Sequence, residues 1–114
     1  MSTYAKQLVD DYRRGVQLFS EKMPEIARQY NEFTKVSFQE GVLQKKYKHL
    51  TALAISIKEQ DETCITYHTH QCVELGCTDD EIHEILGVAA AFGGGEAMSK
   101  AVTTALEAVE EFRG

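Results

Sequence analysis

Tryptophan is missing, proline occurs once, and apolar residues are nowhere gathered into a long run in this chain of 114 residues. A single proline and a hydrophobic share of 43% exclude a proline-rich linker or a disordered, low-complexity chain and fit a globular one. The longest apolar stretch, around Leu50 to Ile57, is interrupted by Thr51 and Ser56 and stops at Lys58. That is well short of the ~20 residues a membrane span requires. Positive charge is also in deficit: 12 Lys and Arg face 18 Asp and Glu, a net charge of −6, with the acids spread over several segments. No basic patch exists to neutralise a phosphate backbone, so neither nucleic acid nor an anionic membrane is an expected partner. The N-terminal "MSTYAKQLVDDYRR" carries acids and has no apolar secretory core, which predicts a cytoplasmic protein. Cysteine is scarce and odd in number at three, and without an export signal these residues are expected to be reduced thiols, not a disulfide framework.

What is present is helical periodicity over one domain, residues 1–114, a length that buries a real core without dividing comfortably in two. Apolar residues at 5, 8, 9, 12, 16 and 19 trace one face of a first helix that ends near Met23. Pro24 suits the first turn of a second helix, "PEIARQYNEFTKVSF", where its missing N–H has no intrahelical partner to lose. Gly41 punctuates a link, and from Gln44 onward Leu50, Leu53, Ala54 and Ile57 keep the spacing of a buried helical stripe. Asp61 is a good N-cap for a fourth helix that Gly76 can close. "TDDE" at 78 to 81 is a capping box opening a fifth helix through Ile82, Ile85, Leu86 and Ala89. "GGG" at 93 to 95 ends it, and Met98, Val102, Ala105, Val109 and Phe112 mark the inner face expected of a last helix. The small residues of "GVAAAFGGG" and "ALAIS" predict close helix packing, although alanine's helix propensity explains the alanines equally well. No strand or internal repeat is expected, and the fold class is all-α with about six helices.

The densest chemistry is "DETCITYHTH", residues 61 to 70. At 100° per residue Asp61, Cys64, His68, Cys72 and Leu75 share one quadrant of the fourth helix, whereas His70 points the opposite way and is expected in solvent. His68, four residues beyond Cys64, is within reach of its thiol. A helix N-terminus and an imidazolium both favour a thiolate, but Asp61 and Glu62 oppose it, so the direction of the Cys64 pKa is open. Three readings follow. Cys64 is a redox thiol with His68 moving its proton; or both are structural, since free cysteine is commonly buried; or Asp61, Cys64, His68 and His49 are ligands of types that zinc accepts, without the spacing of a tight zinc motif. No metal or cofactor is expected. Cys72 is about 12 Å along the same helix from Cys64, too far for a disulfide, and Cys77 could approach Cys64 only through tertiary folding or another subunit.

Residues 46 to 101 combine "LTALAIS", a cysteine followed four later by histidine, "ELG-x-T-x-x-EI" and an alanine-rich helix ending in "GGG". Together these resemble the carboxymuconolactone decarboxylase and alkylhydroperoxidase D-like family. The resemblance implies an all-helical fold assembled into oligomers, commonly trimers or hexamers, with sites near subunit contacts. In the peroxidase branch a Cys-x-x-Cys pair at a helix N-terminus is accompanied by a histidine four residues after the second cysteine and a glutamate twelve before the first. Cys64 takes the second cysteine position and His68 the histidine, while Asp61 stands at the first cysteine and His49 at the glutamate. The resemblance thus implies a thiol-dependent peroxidase acting on a small-molecule peroxide or thiol, with Cys64, His68 and His49 catalytic and Asp61 and Tyr67 in support. Lacking a cysteine at 61, it would need Cys77, another subunit or an external thiol to resolve the oxidised Cys64. The alternatives are a lyase acting on a small carboxylated ring compound, with His68 and His49 as acid and base, and a non-catalytic redox or metal-binding module.

Overall fold

The computed structural model describes residues 3–114, and all of their regular secondary structure is helical. The elements are α1 (Tyr4–Lys22), α2 (Pro24–Phe38), α3 (Lys45–Glu59), α4 (Glu62–Glu74), α5 (Asp79–Gly93) and α6 (Gly95–Lys100), which runs through a π-helical turn (Ala101–Ala105) into α7 (Leu106–Arg113). Helix α3 packs along α4 and α5; α1 lies across α4 and α7, and α2 folds back on α1 while touching α3 at one end. Leu53, Ile57, Ile65 and Ile82 are completely buried between α3, α4 and α5, each stabilising the fold by about 1.5–3 kcal/mol.

The links are short because each end satisfies its own backbone groups. Met23 separates α1 from α2, with Pro24 at the first helical position. Lys48 donates to the carbonyls of Ser37 and Gln39 at 2.9 and 2.8 Å, tying the C-terminus of α2 to α3. Helix α3 ends with Gln60 in the left-handed conformation (φ 61°), and Asp61 N–H reaches back to the Ser56 carbonyl at 3.2 Å. The same arrangement closes α4, where Gly76 has φ 81° and Cys77 N–H donates to the Cys72 carbonyl at 3.0 Å. Thr78 and Glu81 form the expected capping box. Among the described residues no helix is long and apolar enough to cross a membrane.

Several expected faces are placed differently. Ala5 and Val9 of α1 are buried, but Tyr12 and Phe19 are exposed, because α1 covers the bundle only with its first half and leans on α2 with the rest. In the last helix Met98 and Val102 are exposed, and the inner face is Ala97, Ala101, Thr104, Ala105, Ala108 and Val109. The π turn accounts for the change, since its wider winding breaks the 3.6-residue register on which the expectation rested. His70 does point away from His68, yet it is half-buried, its ring 4.6 Å from that of Phe112. An aromatic at the end of α7 fills space that the periodicity of α4 alone assigned to solvent.

Candidate functional site

The two-residue link Gln60–Asp61 lays α4 back against α3. It therefore sets the second turn of α4 beside the first turns of α3. His68 and His49 meet there, Nδ1 to Nδ1 at 3.0 Å. Phe38, the last residue of α2, stacks on both imidazoles at centroid distances of 4.5 Å from His49 and 5.5 Å from His68. Tyr67 sets its ring at 87° to His68, 5.1 Å away, and touches Tyr12 of α1. Three aromatic rings from three helices thus hold the histidine pair. Phe38 and Tyr12 carry no motif by which a sequence reading could find them; they enter through tertiary packing alone.

Burial depresses both imidazoles. His49 is pushed down to about 4 by loss of solvent, by His68 and by the nearby Lys45 ammonium, and His68 is brought to about 4 by loss of solvent. Both rings are therefore neutral at pH 7. A nitrogen-to-nitrogen bond between neutral imidazoles needs a donor on one ring and an acceptor on the other. One ring then carries its proton on Nδ1 and leaves Nε2 bare; the other is protonated on Nε2. The pair presents one base and one acid, and their roles exchange when the bare Nε2 takes up a proton, the shared proton crosses the 3.0 Å bond and the other ring releases its Nε2 proton.

Cys64 lies in the first turn of α4, half-buried and free. Asp61 caps that helix by accepting from the Cys64 N–H at 3.1 Å. Burial, and then the Asp61 carboxylate through its charge and through its hydrogen bond to the thiol, push the Cys64 pKa up. The helix N-terminus, which alone would favour the thiolate, is thus outweighed and the resting thiol is protonated.

Cys64, His49, His68 and Tyr67 line one cavity of about 630 Å³. Its walls come from four helices: Tyr12, Arg13 and Val16 of α1, Tyr30, Asn31, Thr34, Lys35 and Phe38 of α2, Lys45 and His49 of α3, and the α4 face from Thr63 to Gln71. The structure thereby brings together Cys64, His68, His49 and Tyr67, with Asp61 beneath Cys64. In the resting site Cys64 is bonded to Asp61, and His68 to His49. Cys77 is in the core beside Cys72, 1% exposed, and so is removed as a thiol that could resolve Cys64. Among the described residues no group of three or more His, Cys, Asp or Glu is placed to hold a metal ion.

The model of the carboxymuconolactone decarboxylase family matches residues 24–108, which takes in α2 to α5, the π turn and both histidines. The chain belongs to the carboxymuconolactone decarboxylase family. A family member from Legionella pneumophila is 33% identical, with a TM-score of 0.95 over 99% of this chain and 100% of that one. A second, from Thermotoga maritima, is 27% identical, with a TM-score of 0.82 over 92% of this chain and 89% of its own. Uncharacterized protein 4 in the cox locus of Paracoccus denitrificans is 35% identical over 81 residues, 71% of this chain and 72% of that protein.

Proposed function

We propose that the protein is a cytoplasmic, homo-oligomeric, thiol-dependent peroxidase in which Cys64 is oxidised by a small organic hydroperoxide and the His68–His49 pair carries the protons. The observation that supports this most is the opening of one thiol and one neutral acid–base pair onto the same cavity. The Thermotoga maritima relative is described as a candidate for the antioxidative response, which agrees with that reading.

In the step proposed, the bare nitrogen of the pair takes the thiol proton as the sulfur attacks the terminal peroxide oxygen. The S–O bond forms, the O–O bond breaks, and the proton is delivered to the departing alkoxide, giving an alcohol and Cys64 sulfenic acid. Sulfur is oxidised by two electrons and the peroxide reduced by two. A small external thiol condenses with the sulfenic acid to release water and leave a mixed disulfide. A second thiol attacks that disulfide and restores Cys64. With Asp61 in place of a cysteine and Cys77 in the core, the resolving thiol comes from outside the chain.

The test is consumption of cumene hydroperoxide with a small thiol as reductant, followed by alcohol release. The parent protein turns over and Cys64→Ser does not; equal consumption by both would refute the reading. A second reading, acid–base chemistry by the histidine pair on a small carboxylated ring compound, draws on the protonated state of the resting thiol. It predicts that His68→Ala abolishes turnover of a lactone acid while Cys64→Ser preserves it.

A further inference from the structure

Every charged lysine or arginine bordering the Cys64 cavity points to one class of ligand. Arg13 from α1, Lys35 from α2 and Lys45 from α3 all line it, and no aspartate or glutamate does. This is against the trend of a chain whose acids outnumber its bases 18 to 12. Of the nine cations elsewhere, five are in ion pairs: Arg14 with Asp11, Arg28 with Glu25, Lys46 with Glu81, Lys100 with Glu62 and Arg113 with Asp79. Among the described residues, none of the three cavity cations is in an ion pair. The rest of the lining sets the apolar and aromatic Tyr12, Val16, Tyr30 and Phe38 beside uncharged polar side chains such as Asn31, Thr34 and Gln71.

We infer that this cavity binds an organic anion, its carboxylate held by Arg13, Lys35 and Lys45 and its aryl or alkyl body laid against the aromatic wall toward Cys64. On the peroxidase reading, on which the reactive part of this inference rests, a carboxylate-bearing organic hydroperoxide is the preferred substrate and a neutral one the poorer. Positive charges from three separate helices border one cavity, and a carboxylate bound there gains charge-assisted hydrogen bonds. Cationic and aromatic side chains in one lining suit an aryl carboxylate, whose charged end and ring find different partners there. The cavity volume of about 630 Å³ accommodates a substituted benzoate with room to approach the thiol.

The decisive experiment separates binding from turnover. Alkylation of Cys64 by the neutral reagent N-ethylmaleimide is followed by peptide mass spectrometry, with Cys72 and Cys77 as buried controls, while 4-isopropylbenzoate or its isosteric amide is titrated. The acid is expected to protect Cys64 at about tenfold lower concentration than the amide, the factor of one retained charge-assisted contact. The advantage should shrink in 0.5 M salt, through screening, and in the Arg13→Gln/Lys35→Gln/Lys45→Gln protein. Equal protection by acid and amide, or protection by neither, overturns the inference; the unsubstituted protein alone decides this even if the triple variant fails to fold. In parallel, kcat/KM is compared for the hydroperoxide of 4-isopropylbenzoate and that of the amide, with an expected preference of about tenfold for the acid. Selective protection by the acid with turnover of neither hydroperoxide leaves the anion site standing and removes the peroxidase reading.

Discussion

The Asp61 carboxylate caps α4 through the Cys64 N–H and, from the same spot, opposes ionisation of the Cys64 thiol. Asparagine caps a helix about as well without the charge, so Asp61→Asn separates the two effects. The variant is expected to keep its helix content and to react with iodoacetamide several-fold faster at neutral pH, because only the burial contribution still holds the thiol up. An unchanged pH profile for Cys64 labelling would show that the carboxylate does not govern the thiol. The histidines give a second prediction at this scale. Both rings ionise near 4 in the folded protein against 6.5 when exposed. The unfolded chain therefore binds more protons between those values, and stability falls as pH drops from 6.5 toward 4. The loss is seen as a Tm that falls over that range. His49→Gln/His68→Gln should flatten that slope. It should leave the separate loss between pH 4.5 and about 2 that belongs to Glu62, whose carboxylate is held down by its bonds from Tyr4, Lys100 and Thr104.

Among the elements, α5 shows why a glycine at the α5–α6 corner matters differently from one in the middle of a helix. A Cβ on Gly93 would come within 2.6 Å of the Ala97 Cβ and 3.0 Å of Lys58, whereas one on Gly87, in the middle of α5, would meet nothing within 4 Å. Gly93→Ala is expected to destabilise by ~1–3 kcal/mol in chemical denaturation, and Gly87→Ala to be neutral or stabilising by up to ~1 kcal/mol. A Gly93→Ala protein as stable as its parent would show that α5 and α6 are free to move apart. Much of this level is legible from sequence, because caps and stripes act over a few residues: Pro24, Asp61, Gly76 and the Thr78–Glu81 box all stand where local chemistry puts them. The Cys64–His68 spacing is equally local, and places both on one cavity wall. The π turn and the turned inner face of the last helix were not legible, since they arise from packing of the whole bundle. Nor was the histidine bond, which depends on how α3 crosses α4, or the ring of Phe38, which Lys48 helps to hold by capping α2.

At the scale of the whole molecule, α2 is helical and amphipathic but has little to lean on. Ala27 is its one buried residue, while Ile26, Tyr30, Phe33 and Val36 line an outward stripe, with Phe33 71% exposed. Phe92 on α5 is 82% exposed. A chain this small rarely leaves so much apolar surface open unless another molecule covers it. The sequence pattern that made α2 a helix therefore also specifies a surface, and we propose that further copies of the chain occupy it. Because Tyr30 and Lys35 on α2 line the Cys64 cavity, covering α2 would fix one wall of the site and link assembly to activity. Light scattering after size exclusion is expected to give a multiple of the 12.8 kDa chain mass, persisting at micromolar concentration. Phe33→Asp/Val36→Asp, two exposed positions outside the cavity lining, should shift it toward monomer and lower the Tm of the assembly. A parent protein that runs as a 12.8 kDa monomer at high concentration would remove the proposed interface. The site would then have to work with α2 held by α1 and the end of α3 alone.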